Sequence, residues 1–151
     1  MPNVLVTGGA GFLGARLARQ LLAAGTLAVA GAAPEPVTRL TLVDRVPVSA
    51  DLTADPRVTV INGELSELLE PAGGPLLAST GALAGTDVIF HLAAAVSAEC
   101  EADFDLGMRA NLRATELLVL PRRRYLPGGG VRELPCCLRG VGRAPAPERR
   151  R

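Results

Sequence analysis

The octapeptide Thr7-Gly8-Gly9-Ala10-Gly11-Phe12-Leu13-Gly14 constrains this chain more than any other stretch, because glycines at regular spacing separate an apolar run from an apolar-periodic one. Val4-Leu5-Val6 before it reads as a short strand buried on both faces. The residues after it read as an amphipathic helix that stops at Gly25. On that helix Phe12, Leu13, Leu17, Leu21 and Leu22 are expected on the core side, with Arg16, Arg19 and Gln20 in solvent. Strand, glycine turn and helix together can bring a backbone close to a pyrophosphate. One glycine takes the φ > 0 turn, another leaves room for the phosphates, and a third lets the helix pack tightly on the strand. The phosphates then meet free N–H groups at the positive end of the helix. The same pattern also fits an ordinary strand-to-helix turn that binds nothing, so the elements downstream decide.

Residues 26–38 read as a loop rich in Ala and Pro, a surface insertion before a second strand, Leu40-Thr41-Leu42-Val43, which ends in Asp44. An acid at that tip can accept hydrogen bonds from both hydroxyls of an adenosine ribose and repels a 2′-phosphate, which favours NAD over NADP. Arg45, directly after it, works against that preference. Asp44 follows Gly14 by 30 residues, against a usual interval of about 20, and a solvated turn acid is the alternative. Val58-Thr59-Val60-Ile61 is a third strand leading into Asn62-Gly63-Glu64-Leu65, and Asp87-Val88-Ile89-Phe90-His91 a fourth, leading into Leu92-Ala93-Ala94-Ala95. The small side chains there let a ligand approach the backbone. From about Ala98 to Leu118 a long helix is expected, with Phe104, Met108, Leu112 and Thr115 on one face and acids in its first turns. Strands alternating with helices give an α/β fold with a doubly wound parallel sheet of about four strands, an incomplete Rossmann domain.

With 48% hydrophobic residues and a mean hydropathy of +0.29, the chain has apolar material for a core. Aromatics are only 3%, so that core must be Leu, Val and Ala. Net charge divides the chain in two. Residues 1–120 carry 7 Arg against 13 Asp and Glu, while residues 121–151 carry 9 Arg against 2 Glu. The first part is expected to be the folded unit, and the second an Arg- and Pro-rich disordered tail. One aromatic residue and many prolines make that tail poor material for stacking nucleic acid, so no nucleic-acid partner is expected. Cys100, Cys136 and Cys137 match neither a zinc spacing nor a redox pair, which points to a reduced, cytoplasmic setting. No apolar run reaches membrane-spanning length, and no metal-ligand cluster is evident.

Five segments carry a family resemblance: the octapeptide Thr7 to Gly14, Leu42-Val43-Asp44, Gly63-Glu64-Leu65, His91-Leu92-Ala93-Ala94 and Asn111-x-x-x-Thr115. Together they resemble the extended short-chain dehydrogenase/reductases, the NAD-dependent epimerase/dehydratases, over roughly residues 2–120. The run from His91 to Leu118 is similar in particular to D-erythronate dehydrogenase-like members. The resemblance implies NAD as cofactor. It implies that Gly8, Gly11, Phe12 and Leu13 hold the pyrophosphate, that Asp44 holds the ribose, and that Leu92, Ala93 and Ala94 line the cofactor. Glu64 and Leu65 fall where the family has Asp and an aliphatic residue beside the adenine.

The family's chemistry also needs a Ser on a fifth strand and a Tyr-x-x-x-Lys pair, the lysine lowering the tyrosine pKa. This chain has no lysine, and its one tyrosine, Tyr125, is followed four positions on by Gly129. No catalytic residue is therefore assigned. Ser97 reads as a loop or N-cap residue and His91 as a strand-end core residue. The tail reads as sequence translated out of frame, and the whole as a truncated, NAD-binding fragment without activity of its own. The alternative is a structural remnant or interaction module that binds nothing and associates with itself through an exposed sheet edge.

Overall fold

The computed structural model describes residues 1–29, 32–69, 83 and 85–125. Strand β1 (Asn3–Thr7) leads through the glycine turn into helix α1 (Phe12–Ala24). A hairpin of β2 (Thr26–Leu27) and β3 (Glu35–Pro36) then precedes β4 (Arg39–Asp44). After it come α2 (Ala50–Thr53), β5 (Val58–Asn62), α3 (Leu65–Leu68) and β6 (Val88–His91). The last helical stretch comprises α4 (Ser97–Ala102), α5 (Phe104–Gly107), a π-helical turn (Met108–Arg113) and α6 (Ala114–Tyr125).

The main sheet runs β5-β4-β1-β6, and every pair in it is parallel. Residues alternate between two cores, as strands covered on both faces require. Val4, Val6, Leu40, Leu42 and Val88 face α1 and α2 with Ala18, Leu21 and Leu52. Leu5, Val43 and Ile89 face the other way, against Leu65, Ala114, Leu117 and Leu118. The doubly wound α/β arrangement expected from the strand–helix alternation is present, with four strands in its parallel sheet among the described residues.

Two helical faces differ from the expected ones. Phe12 and Leu13 do not face the core: they are 81% and 64% exposed, while α1 buries Gly14 and Ala18 along with the expected Leu21. The glycine turn delivers the helix with its third residue, Gly14, against the Gly8 carbonyl and Gly9, and its first two residues stand outward. The long helix over 98–118 is not continuous. Asp103, with extended backbone, ends α4 and caps α5 by accepting from the Leu106 N–H (2.9 Å). The π turn then adds a residue to the repeat, so Phe104, Met108 and Leu112 are 72%, 41% and 48% exposed. Ala114, Leu117 and Leu118 take the sheet side in their place.

Residues 26–38 do form an insertion, but a paired one: β2 and β3 are antiparallel. It lies at the end of the sheet where β1 begins, with the Thr38 hydroxyl donating to Asn3 Oδ1 and the Met1 amine on Glu35. The extra spacing between Gly14 and Asp44 is thereby spent away from the strands' carboxyl ends. Two ion pairs tie the periphery: Arg19 with Asp51 joins α1 to α2, and Arg57, paired with Asp55, also donates to the Leu22 carbonyl. The Arg57 guanidinium holds the Asp55 carboxyl down at about 2. Helix α6 runs to Tyr125, five residues into the stretch 121–151 expected to be a tail, and residues 126–151 lie outside the described residues.

Leu42 is fully buried in the middle of β4. Leu42→Ala should cost about 2–5 kcal/mol of stability, read from the midpoint of urea unfolding with an unchanged slope.

Candidate functional site

The sheet order reverses at β1, with β4 on one side and β6 on the other. In such sheets a crevice opens beyond the strands' carboxyl ends at the reversal. A cleft of about 250 Å³ lies there. Its walls are the glycine turn, the ends of β4, β5 and β6, and one side of the π turn.

The turn's geometry is forced by close approach. Gly8 has φ +72°, and a Cβ on it would come within 2.8 Å of the Ala93 nitrogen. A Cβ on Gly9 would meet the Leu42 side chain at 2.9 Å, and one on Gly14 would run into the Gly8 carbonyl. Gly8 and Gly9 N–H groups both donate to the Val43 carbonyl, at 2.8 and 3.2 Å. Gly11 differs: a Cβ there would meet only the Gly8 carbonyl, at 3.3 Å. Folding thus explains Gly8, Gly9 and Gly14, while Gly11 keeps the cleft side of the turn bare. It is also the residue before α1, whose first N–H groups have no acceptor within the helix.

Asp44 stands at the tip of β4. Its Oδ2 accepts from the Ala10 N–H (2.8 Å) and its Oδ1 from the Val46 N–H (3.1 Å), so it holds both the glycine turn and its own loop. A carboxylate has about four acceptor sites, so two backbone bonds leave capacity for hydroxyls. Glu64 and Leu65 continue the wall at the start of α3.

The opposite wall hangs on two side chains. The Thr7 hydroxyl accepts from the Leu92 and Ala93 N–H groups, at 3.2 and 3.3 Å, and lies 2.7 Å from His91 Nδ1. His91 Nε2 lies 3.0 Å from the Thr115 hydroxyl, which donates its hydrogen to the Asn111 carbonyl at 2.7 Å. Thr115 therefore accepts from Nε2–H, and Nδ1 accepts from Thr7: a neutral imidazole joins β1 to the last helix. Burial lowers the His91 pKa from its usual 6.5, in keeping with that neutral form. Asn111 grips Ala95 from both sides, accepting from its N–H (2.8 Å) and donating to its carbonyl (3.1 Å).

Eight of the ten residues assigned from sequence to cofactor binding line the cleft: Gly8, Gly11, Asp44, Glu64, Leu65, Leu92, Ala93 and Ala94. The side chains of Phe12 and Leu13 point into solvent, and only their backbone N–H groups are available to a ligand at the helix start. Sequence reasoning missed Leu106 and Ala110, which also line the cleft, and gave Asn111 no role. Asn111 was visible within Asn111-x-x-x-Thr115, but its amide-to-backbone grip depends on the π turn. Ser97 opens α4 and Tyr125 ends α6. Among the described residues no group of three or more His, Cys, Asp or Glu could hold a metal. No helix among them is long and apolar enough to cross a membrane.

The NAD dependent epimerase/dehydratase family matches residues 4–120, and the chain belongs to that family. Among its individual relatives, a D-erythronate dehydrogenase of Cupriavidus necator is 49% identical over 118 residues, 78% of this chain and 33% of that protein. A nucleoside-diphosphate-sugar epimerase from Agrobacterium tumefaciens shares the fold with a TM-score of 0.60 and 35% identity, over 78% of this chain and 31% of that one. The enzyme WbmF of Bordetella bronchiseptica, solved with NAD+ and UDP, has a TM-score of 0.60 and 25% identity, over 83% of this chain and 32% of that one. The chain thus spans about a third of the length of the relatives it matches.

Two outcomes follow from this geometry. Gly14→Ala should lower the melting temperature sharply because its Cβ meets backbone, whereas Gly11→Ala should leave it nearly unchanged. Because the folded His91 binds its proton less readily than the unfolded one, stability should fall as pH drops below about 6.5. His91→Gln should lose less stability than the wild type between pH 7 and pH 5, compared by urea unfolding.

Proposed function

We propose that the cleft binds the adenosine diphosphate half of NAD. The observation that carries this is the convergence of Gly11 and the α1 N-terminus, Asp44, and the Leu92-Ala93-Ala94 backbone around one opening at the sheet's reversal point. Family membership and the NAD bound by WbmF support it. The pyrophosphate meets the N–H groups of Phe12 and Leu13, Asp44 takes the ribose hydroxyls, and Glu64 and Leu65 flank the adenine. At about 250 Å³, the cleft is below the roughly 300–1,000 Å³ typical of small-molecule sites, which suits one end of a dinucleotide. A reduced, cytoplasmic setting goes with this reading.

The chain as it stands binds the nucleotide without turning over a substrate. When bound, NAD supplies hydride chemistry, but a general acid/base must move the substrate proton, a contribution of about 10²–10⁴-fold. With no lysine in the chain and Gly129 four residues after Tyr125, no tyrosine is activated in the family's manner. His91 is committed on both ring nitrogens.

Titration calorimetry tests the binding reading. NAD should give a saturable heat with the wild type. Asp44→Ala should weaken it at least tenfold, since charge-assisted bonds contribute about 1.5–3 kcal/mol each. Gly11→Val should abolish it while the circular dichroism spectrum is retained. No NADH absorbance should develop with sugar acids or 2-hydroxy acids at high protein concentration. Unaltered binding by Gly11→Val would contradict the site assignment, and a protein-dependent rate would contradict the inactivity.

A second reading is favoured by the topology alone. Strand β6 pairs only with β1 among the described residues, and such an edge templates pairing with another chain. Self-association through it predicts a mass by light scattering that rises with protein concentration, and a constant monomer mass contradicts it.

A further inference from the structure

The cleft's charges carry a consequence for which dinucleotide it accepts. Arg45 follows the ribose acid Asp44 and lines the same wall of the cleft. An arginine so placed is the residue type that receives a 2′-phosphate. In this structure it is engaged elsewhere: Arg45 Nη2 donates to Glu99 Oε1 at 3.2 Å, across from β4 to the first turn of α4. Glu99 is itself held, its Oε2 accepting from the Val96 N–H (3.2 Å) at the start of that helix. The Asp44 oxygens accept from the Ala10 and Val46 N–H groups, and the guanidinium's ion pair is with Glu99.

We propose that Glu99 is a specificity-determining residue: by holding Arg45 toward α4 and neutralising its charge, it leaves the ribose end of the cleft to the Asp44 carboxylate and closed to a 2′-phosphate. The inference rests on the reading of this cleft as the NAD site. Arg45 and Glu99 side chains are 59% and 40% exposed, so their pair is of the modest, surface kind, about 1.4- to 5-fold in an equilibrium. A gate of that strength tunes a preference set mainly by Asp44.

The test is calorimetric titration of the full chain with NAD and with NADP, for the wild type, Glu99→Gln, Arg45→Gln and the double variant. Glu99→Gln keeps an acceptor for the Val96 N–H and removes the charge. It should raise NADP affinity relative to NAD by about 2- to 5-fold, with NAD affinity itself nearly constant. The double variant should lose that gain, because the freed guanidinium is what produces it. An NAD/NADP ratio unchanged by Glu99→Gln, in protein that still binds NAD, overturns the role of Glu99 and leaves the site reading intact. A gain that persists in the double variant overturns the role of Arg45. Wild type that binds neither nucleotide overturns the site reading, and this inference with it.

Discussion

The site depends on how closely one stretch of backbone can approach its neighbours. Gly8, Gly9 and Gly14 sit where a Cβ would collide with the exit of β6, with the Leu42 side chain and with the turn's own carbonyl. Removing those side chains lets the turn hydrogen-bond to the end of β4 and lean on the residues after β6 at once. The start of α1 is thereby delivered over the sheet's reversal point, where the unsatisfied N–H groups of its first turn add to a positive helix end. Gly11 is the member of the set whose bareness folding does not require, and it faces the opening.

The rest of the cleft is held by polar side chains that act on backbone. Asp44 bonds Ala10 and Val46, Thr7 bonds Leu92 and Ala93, and Asn111 bonds Ala95. His91 completes the set from behind, a neutral link between the Thr7 and Thr115 hydroxyls. These groups orient the backbone around the cleft.

Strand positions and the glycine turn were legible in the sequence because each depends on local chemistry: unbroken apolar runs for strands buried on both faces, and glycine where no side chain fits. The helical faces were less so. Periodicity assumes 3.6 residues per turn, and the π turn at Met108–Arg113 breaks that assumption, so Phe104, Met108 and Leu112 looked inward and are exposed. Phe12 and Leu13 misled for a related reason: the glycine turn, on which Gly14 packs, rather than the helix's own pattern, sets which side of its first turn is covered. The Arg45–Glu99 pair joins residues 54 positions apart, and no local pattern announces it.

The most direct measurement is an amide ¹H–¹⁵N correlation spectrum of the labelled chain titrated with NAD. Binding in the cleft predicts saturable shifts concentrated at Gly8 to Leu13, Asp44 to Val46, Glu64 and Leu65, and Leu92 to Ala95, with the β2–β3 hairpin unmoved. Shifts centred on other residues, or none at millimolar NAD, would contradict it.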